Sequence, residues 1–275
     1  MGDLTSVLWI GGPPASGKTT IARLLARRHG LRWYNADAHT WEHRDRAIAT
    51  GHPAALRFEQ LPIAERWTLP MADRLAMSLH HERGPLVVDD LRDLPSKPLT
   101  VAEGTPITPS VAGYGGRAVW LLPEPGLQRA RLVERGLPNG VRELYEHLLH
   151  VISAQVEECG ARRLIVDGSQ SVEDTVAEME RLFAEALADG HTATTALERR
   201  TLLRYANYAI VSQYLTFFTR PWARSLGDIR TTVLEFSCEC ASVACEEQVK
   251  LAVADFPRQN DDTSVPVLAP GHAPA

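Results

Sequence analysis

Residues 12–19, Gly-Pro-Pro-Ala-Ser-Gly-Lys-Thr, constrain this chain more than any other segment. They match the spacing G-x-x-x-x-G-K-[ST], in which every fixed position has a mechanical reason. Glycines let the backbone turn sharply and bring its N–H groups against an anion. A helix that begins at the lysine aims the positive end of its dipole at the same point. The pattern requires a strand before it and an amphipathic helix after it, and both are legible. Residues 6–11 read as a buried strand. Residues 18–29 place Ile21, Leu24 and Leu25 on one face and turn Arg23 and Arg27 away. The segment therefore reads as a phosphate-binding loop. Gly12, Pro13, Ala15, Ser16, Gly17, Lys18, Thr19 and Thr20 are its expected nucleotide contacts. Lys18 is placed to reach the β- and γ-phosphates, and the Thr19 hydroxyl to ligate Mg²⁺.

The rest of the first 188 residues alternates short β-like runs with helical patterns, which predicts a parallel sheet covered by helices. Further strands are expected at 31–35, 117–122 and 163–167. The third strand has two candidates, 86–90 (LVVDD) and 98–103 (PLTVAE). The first also fits helical spacing, so 99–102 is preferred. Residues 40–83 read as mostly helical and form part of an insertion spanning about 38–97. Residues 127–135 read as a short basic helix. Val141, Leu144, Tyr145, Leu148, Leu149, Ile152 and Val156 form an apolar helical stripe, and 172–187 read as the last covering helix. A polar linker follows, then a helix over 197–218, too apolar all round to stand alone in water, and a β-like run at 232–238. The expected organisation is an α/β domain over 1–188, a small α+β extension over 189–257 and a disordered, Pro- and Asp-rich tail over 258–275.

The run GGPPASGKTTIARLLA, the β/α order and the short basic helix after Leu122 resemble the small P-loop kinases, a group that includes gluconate, shikimate and adenylate kinases and chloramphenicol phosphotransferase. The resemblance covers roughly residues 5–188 and is specific only in the phosphate loop. It implies a P-loop NTPase-type five-stranded parallel sheet, ATP and Mg²⁺ as cofactors, a helical insert for the acceptor and a mobile lid over about 124–142. It leaves the acceptor unnamed.

A phosphoryl-transfer site needs a carboxylate for the metal, a group that orients the acceptor hydroxyl, and cations for the moving charge. Asp37 follows the second strand, beside the loop by topology, and the resemblance gives it the acceptor hydroxyl or a metal-bound water. A helix N-cap is the ordinary role for Asp there, and the two are compatible. Glu103 ends the preferred third strand and can hold Mg²⁺ through water, with Gly104 after it permitting close approach of a ligand. Asp89 and Asp90 compete if 86–90 is the strand. Arg131 and Arg135 share a face of the basic helix, and the resemblance makes them lid arginines, with Arg129 and Arg142 as alternatives. The resemblance also brings the Asp167-Gly168-Ser169 loop near the adenine. His39 and His43 lack the order of a zinc protease and read as a polar helix face. Trp33, Tyr34, Trp41, Phe58 and Trp67 read mostly as core, with one or two lining an acceptor pocket.

The C-terminal run Cys238-Glu-Cys240-x₄-Cys245 raises zinc as a candidate, although one gap is a single residue and no fourth ligand is adjacent. Cys159 or His191 could supply it only through the fold, and partly buried thiols in a hairpin are the plainer reading. The run resembles a short tail module of actinobacterial proteins. Such a module points to packing, regulation or an unidentified protein partner.

Net charge is −5, which gives no basic track for a nucleic-acid strand and argues against a polynucleotide 5′-hydroxyl kinase. No apolar run approaches the roughly 20 residues that span a bilayer. The four cysteines make no disulfide scaffold in a chain of 275 residues, so a cytoplasmic protein without nucleic-acid or membrane partners is expected. The leading reading is a kinase acting on a sugar, nucleoside or antibiotic-like hydroxyl. The runner-up is a nucleotide-dependent switch working through the C-terminal extension.

Overall fold

The computed structural model describes residues 4–113, 116–257 and 265–274. Five parallel strands form the central sheet in the order β2-β3-β1-β4-β5. They are β1 (Val7–Gly11), β2 (Arg32–Asn35), β3 (Thr100–Glu103), β4 (Ala118–Pro123) and β5 (Arg163–Val166). Their helical connections are α1 (Lys18–His29), α2 (Thr40–Ala49), α3 (Pro53–Gln60), α4 (Ile63–Arg66), α5 (Met71–Ser78), α6 (Arg83–Asp93), α7 (Pro109–Ala112), α8 (Pro125–Glu134), α9 (Asn139–Glu158), α10 (Val172–Leu182) and α11 (Ala184–Asp189). Helix α12 (Ala196–Phe218) leads to an antiparallel hairpin, β6 (Val233–Ser237) and β7 (Gln248–Ala252).

Strands β1, β3 and β4 are buried on both faces, as parallel strands are when helices cross over each side, while the edge strand β5 leaves Arg163 and Ile165 exposed. Alternation along each strand divides the core. Leu8, Ile10, Val101, Val119 and Leu121 pack on one side with Leu24 and Leu25 of α1 and Val176 and Met179 of α10. Val7, Trp9, Ala102, Trp120 and Leu122 pack on the other with Val87 of α6 and Leu148 and Ile152 of α9.

The register aligns Ile10 and Asn35 with Glu103, so β1, β2 and β3 end level with one another. Ligands of open α/β sheets lie outside such strand ends. The run LVVDD is helical, inside α6, and β3 is the strand preferred from sequence. The last covering helix is broken at Phe183, whose side chain is 1% exposed, giving α10 and α11 where one helix was expected.

The apolar helix α12 does pack. Ala206 joins the sheet core, and Val211 meets Phe236 and Phe256 under the hairpin. A capping box between Thr195 and Glu198 starts it. The tail expectation fails in part. Residues 258–264 and 275 lie outside the described residues, but 265–274 are held in place. Glu239 donates its N–H to the Val267 carbonyl at 2.7 Å, and Val267 and Ala269 are buried. Two apolar side chains, and hydrogen bonds to Glu239, Arg204 and Cys238 far away in sequence, anchor this stretch, and none of these produces periodicity. No helix among the described residues is long and apolar enough to cross a membrane.

Candidate active site

The loop after β1 has the backbone that the motif demands. Gly12, Ala15 and Gly17 have φ of 137°, 64° and 97°. A Cβ at Gly12 would stand 2.3 Å from the Leu121 carbonyl oxygen, so glycine is required there by packing as well as by φ. Lys18, 4% exposed, donates from Nζ to the Pro13 carbonyl at 2.8 Å and so lies back along its own loop. Burial pulls its amine below the usual lysine range, against the opposing pull of Asp37 and Glu103. Thr19 follows at the first turn of α1 and donates to Glu103 Oε1 at 3.1 Å.

Glu103 is fully buried at the end of β3. Its Oε2 has no partner among the described residues. Burial pushes its carboxyl up to about 7, with Lys18 nearby pulling it down. A buried oxygen without a donor, next to a threonine hydroxyl, is a site that a hard, oxygen-seeking cation would satisfy. Thr19 and Glu103 therefore fit Mg²⁺. The competing acids are elsewhere. Asp90 accepts from Tyr34, His43 and Arg46, and Asp89 is on the exposed side of α6.

Asp37 sits in a 3₁₀ turn between β2 and α2. Its alternative role is taken by a neighbour: the Asn35 side chain accepts from the N–H groups of Asp37 and Ala38. The Asp37 carboxylate is left for other contacts. Thr105 donates to its Oδ2 from both N–H and Oγ1, each at 3.3 Å, and Arg83 faces its Oδ1 at 3.6 Å. Arg83 is itself held by the Ala36 carbonyl and by His43 Nδ1, and His43 Nε2 meets Asp90 at 2.7 Å. Burial lowers the His43 pKa and so keeps the ring neutral at neutral pH, which lets it accept from Arg83 and donate to Asp90. His43 is thus a buried link, not part of a polar face as its sequence spacing suggested. His39 stacks on Tyr34 at 4.8 Å. Gly104, expected to make room for a ligand, instead makes room for protein: a Cβ there would lie 2.6 Å from Ala36 Cβ.

The basic helix α8 lies against the loop. Arg131 donates to the Ala15 carbonyl at 3.1 Å, and Gln128 donates to the Pro14 carbonyl at 3.0 Å. Arg135 lines the same cavity as Lys18. The alternatives are occupied: Arg129 pairs with Glu146, and Arg142 donates to Asn139. Asp167 accepts from the Ser169 N–H and hydroxyl, shaping an exposed turn in which Gly168 lies near Leu127 of α8.

Loop, Asp37 and Arg135 open onto one cavity of about 560 Å³. Trp41, Phe58, Trp67 and Met77 supply its apolar wall, while Trp33 and Tyr34 belong to the sheet core. Sequence reading missed its polar members: Arg44, Arg74, His80, Arg83 and Gln213. No motif marks them, because they come from separate segments: Arg44, Arg74, Arg83 and Gln213 from α2, α5, α6 and α12, and His80 from the turn between α5 and α6. Arg44 stacks over Phe58 at 3.9 Å and donates to the Met77 carbonyl, but its Nε and Nη1 have no partner among the described residues. Both His80 nitrogens are likewise unpaired. Gln213 of α12 donates to the Asp37 carbonyl at 3.0 Å and accepts from the Trp41 N–H at 3.1 Å.

The cysteines do not join this cavity. Cys238, Cys240 and Cys245 gather with His272, and neither Cys159 nor His191 belongs to the group. The fourth member comes from the tail that sequence reading left without structure.

No protein-family model matches the chain, and no curated protein matches it. Among solved structures it is similar to a shikimate kinase from Acinetobacter baumannii in complex with shikimate, at 18% identity over 65% of this chain and 93% of that one, with a TM-score of 0.42. It is also similar to TT1252 from Thermus thermophilus (21% identity, 65% and 96% covered, TM-score 0.42). A sugar kinase from Janibacter sp. HTCC2649 gives 20% identity, 66% and 96% covered, and a TM-score of 0.36. At these TM-scores the superpositions are loose. The fold assignment rests on the strand order and the phosphate loop.

Proposed function

We propose that the chain is an ATP-dependent phosphotransferase that moves the γ-phosphate onto a hydroxyl of a small molecule. One observation carries this reading: the phosphate loop and the Asp37 carboxylate open on the same 560 Å³ cavity, a size suited to small ligands. The loop N–H groups and Lys18 bind the phosphates. Thr19 and Glu103 would hold Mg²⁺, which would neutralise phosphate charge when bound. Asp37 accepts the proton of the acceptor hydroxyl as its oxygen attacks the γ-phosphorus. The bond to the β-phosphate oxygen breaks and ADP leaves. Lys18, Arg131 and Arg135 stabilise charge on the phosphoryl oxygens. The aromatic wall of Trp41, Phe58 and Trp67 favours an acceptor with a ring-like apolar face.

The test uses γ-labelled ATP, Mg²⁺ and a panel of sugars, nucleosides, hydroxylated ring acids and antibiotics, with Lys18→Ala as control. A labelled low-mass product formed only by the unmutated chain is expected. Label found solely in free phosphate across the panel, together with nucleotide-dependent binding of a protein, would replace this reading with the switch.

A further inference from the structure

We propose that Cys238, Cys240, Cys245 and His272 form a tetrahedral site for one zinc ion, which ties the C-terminal segment to the phosphate-loop helix. The four ligand atoms all lie within 4.8 Å of one another. Cys238 Sγ and Cys245 Sγ stand 3.4 and 3.5 Å from His272 Nδ1. Zinc with bonds of about 2.3 Å to sulfur and about 2.0–2.1 Å to nitrogen has a tetrahedral S···N edge of about 3.6 Å, so little movement is needed for the ion to enter. The three thiols are free and buried, with no disulfide among them.

The hairpin explains how a one-residue gap can still supply two ligands. Cys238 continues β6, donating its N–H to the Glu247 carbonyl at 3.0 Å. Ala241, at φ 64°, turns the chain sharply after Cys240, and a turn from Ser242 to Cys245 brings the third thiol back before β7. Residues 265–274 then cross the open side and deliver His272.

The surroundings suit thiolate ligands. Ala269 N–H donates to Cys238 Sγ at 3.3 Å, and Arg27 Nη2 donates to Cys240 Sγ at 3.3 Å. Three thiolates and a neutral imidazole around Zn²⁺ leave one net negative charge, which the Arg27 guanidinium faces. Arg27 also donates to the Cys238 carbonyl at 2.8 Å and the Ser242 carbonyl at 3.0 Å. It stands in the last turns of α1, the helix whose first turn carries Lys18 and Thr19. Between the two cysteines, Glu239 turns the other way into a buried ion pair with Arg204 of α12 at 2.7 Å. The zinc hairpin is thereby clamped to both α1 and α12.

The full-length chain, purified under reducing conditions, should carry about one zinc per molecule by elemental analysis. His272→Ala should weaken zinc binding by more than about tenfold, while His191→Ala and Cys159→Ser should leave it unchanged. Cobalt substituted into the demetallated chain should give intense thiolate-to-metal charge-transfer bands and the visible spectrum of a tetrahedral ion. Those bands should fall by roughly a third in Cys240→Ser, which removes one of three thiolates; if that variant fails to fold, His272→Ala should keep the thiolate bands but change the visible spectrum of the tetrahedral ion and weaken cobalt binding. A folded, fully reduced chain that takes up neither zinc nor cobalt would overturn the proposal. So would a disulfide among these cysteines in the freshly purified protein, or metal binding that His272→Ala leaves intact.

Discussion

Asn35 caps the turn that follows β2, and this leaves the Asp37 carboxylate to Thr105, Arg83 and the cavity. Asp37→Asn keeps the shape and removes the proposed proton acceptor, so turnover should fall by about 10²–10⁴ with little change in ATP affinity, as measured by steady-state kinetics beside nucleotide binding. Full turnover in that variant would make Asp37 a structural residue. Lys18→Ala should abolish transfer while circular dichroism stays unchanged, because the hydrogen bond its amine makes is to its own loop and the sheet packing does not depend on it. Asp90 offers a prediction in pH. Burial alone would raise its pKa, but hydrogen bonds from His43, Tyr34 and Arg46 outweigh it and hold the carboxyl down at about 2, below the ordinary 3.8. A carboxyl depressed in the folded state contributes stability above about pH 4, which is lost as pH falls toward 2. Since Asp90 is partly exposed, the contribution should be about 1–2 kcal/mol. Urea titrations between pH 5 and 2 should show that loss in the parent chain and a flatter profile in Asp90→Asn.

Helix α12 shows why an element outside the α/β repeat matters to the site. Its uniform apolarity signalled burial but not the partner. The structure supplies a sheet edge on one side and the hairpin on the other, with Gln213 holding both Asp37 and Trp41 through their backbones. Farther along, Arg220 joins Asp45 and Glu59 and stacks over Trp41 at 4.6 Å, fastening the helix end to the insert. The connection after β3 is equally tight. Gly104 has φ 153° and lies against Ala36. Gly104→Ala should cost about 1–3 kcal/mol in thermal or urea unfolding, through an unfavourable backbone and a collision that displaces the Asp37 turn. Turnover should fall in step with stability, unlike Asp37→Asn, in which turnover should fall much further than the weakened Arg83 contact lowers stability.

Across the whole molecule, the extension and the α/β repeat share one body: Ala206 belongs to the sheet core, and Arg27 and Arg204 reach the cysteine hairpin from α1 and α12. Chelation of the proposed zinc should therefore lower the thermal midpoint of the full chain as one transition, and added zinc should restore it; two separate transitions would mean independently folding parts. Hydrophobic periodicity, the glycine spacing of residues 12–19 and the strand-end acids were legible because each is a local pattern. They determined the parallel α/β sheet, the phosphate loop, the preference for β3 over LVVDD, and Asp37 and Glu103 as candidate site acids. The partners of those residues were not legible. Arg83, Thr105, Gln213, Arg27 and His272 act through contacts across tens to hundreds of residues, and no spacing rule encodes which buried arginine meets which carboxylate. The fourth ligand of the cysteine cluster shows the limit most clearly. Local chemistry announced three thiols, but the choice of His272 over His191 was decided only when the tail folded back across the hairpin, held by side chains distant in sequence: Glu239 accepts from the Val267 N–H, Arg204 donates to the Val265 carbonyl and Cys238 Sγ accepts from the Ala269 N–H.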